Sequence, residues 1–226
     1  MTSIYEYALM ADAVYSDDPV VEGWTTAHFR SGLGSGLQAA TFTLGNTKVV
    51  AFKGTTPSQT SDLVADLKIG TGMNSSYFWD AEAYVEKFAS EAGVVVTGHS
   101  LGGGIAQVVG NRRRLPFVSF NAPGVGLIAS RNVLSANPVM TAVRVVGSTV
   151  SAVRHPLQMV RDVKAAFHKS LGVNFRLSGD LISEIGLHYG KIVTLAASGD
   201  PLTQHKMEKV LEVVGGGATR DVSFPA

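Results

Sequence analysis

Apolar positions along the chain follow two periods. Ile4, Ala8, Ala11, Val14 and Tyr15 recur at helical spacing, which predicts an amphipathic helix over residues 3–15, ended by Asp17-Asp18-Pro19. After a loop and the glycine-rich SGLGSG, strand-like runs cover 37–44 and 48–53, with Gly45-Asn46-Thr47 between them as a tight hairpin turn. KGTTPSQTSD (53–62) reads as a polar loop, DLVADLKI opens a helix, and GTGMNSSYFWD (70–80) is loop-like. Residues 81–89 suit a helix, 94–97 a buried parallel strand, 102–111 the next helix and 115–121 another strand. Strands alternating with helices imply an α/β fold, a mostly parallel sheet with helices on both faces. GGGATRDVSFPA at the end reads as a flexible tail, so a single domain is expected over 1–214 with a tail at 215–226.

Composition narrows the function. Hydrophobic residues are 45% and charged residues 16% of the 226, enough apolar material for a sizeable core and too little charge for a disordered chain. A net charge of +1 supplies no field that calls for nucleic acid. The absence of cysteine excludes disulfides, thiolate chemistry and cysteine-ligated zinc. The first residues carry acids and no basic start, so no Sec signal peptide is expected, and no apolar run approaches the ~18 residues of a membrane span. The reading is a soluble protein, cytoplasmic or exported by a route that needs no such peptide.

VVVTGHSLGGGIAQVVG (94–110) is the most informative stretch. A β-branched run ends on Gly98-His99-Ser100-Leu101-Gly102, and a helix of small residues follows. A strand before and a helix after are the context of a nucleophile elbow, a turn that holds its serine in strained backbone geometry. The two glycines leave room for strand and helix to approach, and the helix N-terminus points unpaired N–H groups at whatever Ser100 attacks. A glycine-rich turn that only packs a helix on a sheet is the alternative. A serine hydroxyl needs a base to take its proton and donors for the developing oxyanion. The rest of the chain must therefore supply a histidine, an acid and a second N–H, with the acid before the histidine in this fold.

VVAFKGTTPSQTSDLVADL (49–67) follows a strand and enters a helix through Gly54-Thr55-Thr56. Together with GHSLGG it resembles the class 3 lipase family, the α/β-hydrolase group of fungal triacylglycerol lipases and plant phospholipases A1. Lys53 stands where that family commonly has arginine. The resemblance implies an α/β-hydrolase fold and oxyanion donors at the backbone N–H groups of Thr55 and Leu101. Asp62 and Asp66 read as residues that order the following helix. FVSFNAPGVG (117–126) resembles the family's strand after the elbow helix, and Asn121-Ala122-Pro123 reads as loop geometry near the site.

The resemblance also implies an acid at a strand end, and two stretches compete for it. AVRVVGSTVSAV (142–153) has the strand, with Ser148 where the acid should be. NFRLSGDLISEIGLHYG (174–190) places Asp180 after a glycine at a strand end, where a carboxylate reaches an imidazole across the cleft. Asp180 is preferred, with a turn aspartate as its alternative. Asp162 lies in a helical pattern and Asp200 in a Gly-Asp-Pro turn. Among the histidines, His28 precedes the sheet, His99 is the elbow's own variable residue and a site-lining candidate, and His155 and His168 flank a basic helix. His205, in TQHKMEKVLEVV, opens a C-terminal helix much as the family's histidine does, and it is preferred as the base; His188, which follows Asp180 closely, is its alternative and otherwise a second site-lining candidate.

The expected reaction is hydrolysis of a lipid carboxylic ester through an acyl-enzyme, by Ser100, Asp180 and His205, without metal or organic cofactor. A catalytically silent hydrolase fold that binds lipid or protein, and an acyltransferase, are the alternatives. The apolar stripe Leu157, Val160, Val163, Phe167 and Leu171, interleaved with cations, fits either a helix covering the sheet or a lid in transient contact with a membrane surface. An intracellular enzyme and an antibacterial effector delivered by a secretion machine both fit this chain.

Overall fold

The computed structural model describes residues 2–30, 35–54, 75–88, 90–125, 170–219 and 224. Helix α1 (Ile4–Ala13) starts at Ser3 with a reciprocal cap: the Ser3 hydroxyl accepts from the Glu6 N–H at 3.1 Å, and the Glu6 carboxylate accepts from the Ser3 N–H at 2.8 Å. Its face of Ile4, Tyr7, Ala8 and Ala11, continued by Val14, is buried.

Among the described residues seven strands form one sheet in chain order: β1 (Thr25–Arg30), β2 (Gln38–Leu44), β3 (Thr47–Phe52), β4 (Val94–His99), β5 (Phe117–Phe120), β6 (Gly172–Leu177) and β7 (Lys191–Leu195). The first three pair antiparallel, and β3 through β7 run parallel. Alternate residues supply two cores. Phe42, Val49, Ala51, Val95, Val118 and Phe120 face α1 and the later helix α5 (Met207–Val213). Val50, Phe52, Val96 and Phe117 face α2 (Ser75–Glu86) and α3 (Leu101–Arg113). Both faces of the sheet are thus covered, and β4, with all six residues buried, lies at its centre.

Several expectations change. Thr25–Arg30, taken as loop, is an edge strand that contains His28. Its existence depends on β2 as an antiparallel partner, which no local periodicity encodes. Lys191–Leu195 forms the opposite edge for the same reason. Helix α2 starts six residues before the expected position 81, because Phe78, Ala81 and Val85 form one buried face across the aromatic run. The 215–226 stretch, read as a tail, begins in a π-helical turn (Val214–Ala218), and the Phe224 ring lies 5.6 Å from Tyr7. Arg112 and Arg113 at the end of α3 pair with Glu82 and Glu86 of α2, so these cations join two helices.

The glycines at the β4–α3 junction are there for contact. A Cβ on Gly98 would strike the Gly102 backbone, and one on Gly102 would strike the Phe52 carbonyl and lie 2.9 Å from the Gly54 nitrogen. All of these neighbours are backbone and have nowhere to yield. Gly102→Ala is therefore expected to cost about 2–3 kcal/mol in urea unfolding. Gly216→Ala, with nothing within 4 Å, stays within about 0.5 kcal/mol of the parent.

Candidate active site

The ends of β4, β5 and β6 converge at the carboxyl edge of the parallel strands, where open α/β sheets bind ligands. Ser100 sits between β4 and α3 with φ 53 and ψ −126. This left-handed backbone is uncommon for a residue with a side chain, and it lifts Ser100 out of the strand direction at the head of a 13-residue helix. Leu101 is the first residue of that helix, so its N–H is among the donors without an intrahelical acceptor.

Asp180 follows β6 through the turn Ser178-Gly179, where Gly179 takes φ 89. Its carboxyl group is fully buried. Oδ1 accepts from the Ile182 N–H at 3.2 Å and Oδ2 from the Ser183 N–H at 3.3 Å. Oδ1 also accepts from His205 Nδ1 at 2.9 Å. That bond puts the histidine's proton on Nδ1 and leaves Nε2 as an acceptor, 2.9 Å from the Ser100 hydroxyl. The three residues chosen from the sequence thus form one chain of hydrogen bonds, from hydroxyl to imidazole to carboxylate.

His205 does not open the C-terminal helix. It closes a separate short helix, α4 (Pro201–His205). Asp200 accepts from the Leu202 and Thr203 N–H groups at 3.0 and 3.1 Å, and Pro201 takes the first helical position. Lys206 is then extended (φ −67, ψ 144), which separates α4 from α5. The break leaves the His205 carbonyl free of helical bonding, and two side chains take it up. His99 Nε2 donates to it at 2.7 Å, and Asn121 Nδ2 lies 3.4 Å away while donating to the Gln204 carbonyl at 2.7 Å.

The remaining sequence candidates separate. His188 does not join the chain of hydrogen bonds; its Nε2 donates to the Ser183 carbonyl at 2.9 Å, tying down the loop that carries Asp180. Lys53 donates to Gln38 Oε1 at 3.1 Å. Thr55, Asp62, Asp66, Ser148, His155, Asp162, His168 and the stripe from Leu157 to Phe167 lie outside the described residues. Among the described residues no cluster of three or more histidine, aspartate or glutamate side chains forms a metal site. No helix there is long and apolar enough to cross a membrane.

The roles of two residues escaped the sequence reading, which placed Asn121 only in loop geometry near the site. Tyr15, counted there as one more residue of an apolar stripe, is half-buried, and its hydroxyl accepts from the Gly54 N–H at 3.1 Å. It thereby holds the Gly54 backbone just past the end of β3, and burial of the hydroxyl pushes its pKa up. A tyrosine in an apolar stripe was the available signal, because a buried hydroxyl needs a partner. Asn121, at φ 45, accepts from the Leu177 N–H at 2.9 Å and so joins the ends of β5 and β6.

His99 is neutral at ordinary pH. Burial first, and then the nearby His205, lower its pKa to about 4 from the usual 6.5. Between these values the unfolded chain binds a proton that the folded protein does not, so stability falls as pH drops from about 6.5 to about 4. The full effect is on the order of 3 kcal/mol. His188, also lowered by burial, adds to the same slope. Urea unfolding across this window should show the fall, and His99→Gln should flatten it.

Comparison with known proteins places the chain in a family. Residues 6–164 match the family model for a Tle-like phospholipase domain, described as phospholipase-like. The chain belongs to this phospholipase-like family. The matched span covers well over half the chain and includes Ser100, whereas Asp180 and His205 lie beyond it. The fold is that of an α/β-hydrolase, with its parallel strands, elbow and covering helices. Among solved structures, a deletion mutant of the Rhizomucor miehei lipase propeptide complex shares 14% identity at a TM-score of 0.48, covering 85% of this chain and 65% of that one. A triacylglycerol lipase from Penicillium expansum shares 14% at 0.44, covering 88% and 79%. The native Rhizomucor miehei complex shares 17% at 0.35, and this chain spans about half of it (51%). Among curated proteins no sequence matches significantly.

Proposed function

We propose that this phospholipase-like protein is a serine hydrolase of lipid carboxylic esters that works through an acyl-enzyme. One observation carries the reading: the unbroken chain from the Ser100 hydroxyl through His205 to the buried Asp180, with 2.9 Å at each step. As Ser100 Oγ attacks the ester carbonyl carbon, its proton passes to His205 Nε2. Asp180 stabilises the imidazolium through Nδ1 and keeps the ring in the tautomer that accepts at Nε2. The carbonyl oxygen takes the negative charge and is held by the Leu101 N–H at the head of α3, with the Thr55 N–H as the second donor. Collapse of this intermediate releases the alcohol, which receives the proton from His205. Water, activated by the same imidazole, then frees the fatty acid and regenerates Ser100. The reading needs no metal or organic cofactor.

The phospholipase-like family model supports phospholipid as the substrate, and we propose that the protein reaches it in transient contact with a membrane surface. The test is fatty-acid release from phosphatidylcholine and phosphatidylethanolamine vesicles, set against hydrolysis of short soluble p-nitrophenyl esters. Release from vesicles at least about tenfold faster than from the soluble ester, at equal ester concentration, is expected. Turnover of the soluble ester alone would redirect the reading to a small-molecule esterase. Turnover of neither would reject the hydrolase and leave a binding module.

A further inference from the structure

We propose that His99 is a positioning residue for the base: its Nε2–H holds the His205 carbonyl, so that nucleophile and base are referenced to the same strand end. The inference rests on the reading of Ser100 and His205 as nucleophile and base. A carbonyl oxygen only accepts, so at 2.7 Å His99 Nε2 carries the proton. The acceptor is the last carbonyl of α4, at the α4–α5 break, and no helical bond takes it up. Without an external donor the His205 backbone has freedom about Lys206, and the imidazole moves with it.

The contacts close a small ring. Ser100 Oγ meets His205 Nε2 at 2.9 Å, the His205 carbonyl meets His99 Nε2 at 2.7 Å, and His99 is joined to Ser100 by one peptide bond. The distance from nucleophile to base is thus set by a ring through three residues instead of by their separation of 105 positions along the chain. The rest of the surroundings keep the His99 ring in place. It is buried, with the Tyr15 ring edge-on at 6.3 Å and the His205 ring at 5.0 Å. Asn121 supports the same segment from the next strand through the Gln204 carbonyl. A misplacement of about 1 Å in a reacting group costs on the order of 10²-fold in rate, so the loss of this one donor is measurable.

The test compares His99→Phe and His99→Leu, which lack a donor, with His99→Gln, whose amide N–H reaches a similar point. With a soluble ester, kcat should fall about 10²-fold in Phe and Leu variants with KM within about twofold, and Gln should recover most of the rate. A parallel arm follows the histidine resonances by 15N–1H NMR. In the unaltered protein the His99 proton should sit on Nε2, and the low-field His205 Nδ1 proton should shift or broaden in the Phe and Leu variants and return with Gln. A His99 proton on Nδ1 overturns the inference even if no donor-less variant folds. Folded Phe and Leu variants with unchanged kcat and an unchanged His205 resonance overturn it as well, as does an equal loss in Gln. A parent protein that turns over no ester rejects the hydrolase reading instead, and the resonances alone then decide the His99 contact.

Discussion

Ser100→Ala is expected to lower ester turnover about 10⁶-fold, the scale set by removal of the nucleophile from a serine protease triad. The protein should still fold. The serine is 2% exposed, and its hydroxyl makes its hydrogen bond to His205 Nε2. Its removal therefore forfeits one such bond, about 1 kcal/mol, and alanine accepts the same backbone as serine. The measurements are fatty-acid release, labelling by a fluorophosphonate probe and urea unfolding. The parent should label and the variant should not, with unfolding midpoints close together. Labelling that persists in Ser100→Ala would place the nucleophile elsewhere and reduce the elbow to packing.

Asp180→Asn carries the second largest effect, about 10⁴-fold in turnover. The carboxylate accepts three N–H donors, two at Oδ1 and one at Oδ2. An asparagine amide replaces one of those oxygens with a donor. If the amide nitrogen faces His205, the imidazole must carry its proton on Nε2 and no longer accepts from Ser100. If it faces Ser183, a buried N–H meets another donor, which costs about 1–3 kcal/mol. Both turnover and unfolding midpoint should therefore fall, with KM nearly unchanged. His188→Ala is the contrast. It removes a bond to the Ser183 carbonyl but no link of the chain to Ser100, so a measurable rate should remain. Full activity in Asp180→Asn would reject this carboxylate as the acid.

What the sequence alone determined was local. A β-branched run, a glycine-framed serine and a helix of small residues announce the elbow, because the clashes that demand Gly98 and Gly102 involve backbone packed against the turn itself or the strand beside it. Helix α1 is legible for the same reason: its cap spans four residues and its apolar face one heptad and a half. Candidate partners for Ser100 were also selectable by residue type and chain order. The edge strands β1 and β7 were not legible, since a strand exists only when another offers its ladder.

Tertiary structure alone decided how the site is held. His205 ends a helix instead of starting one because Asp200 and Pro201 begin a turn that Lys206 interrupts. Tyr15 reaches Gly54 across 39 residues, Asn121 reaches Gln204 across 83, and His99 reaches His205 across 106. Such bonds leave no period in the chain and no fixed spacing. They form because parallel strands end along one edge of the sheet, and the polar groups left there, shielded from water, must find partners among whatever segments the packing delivers.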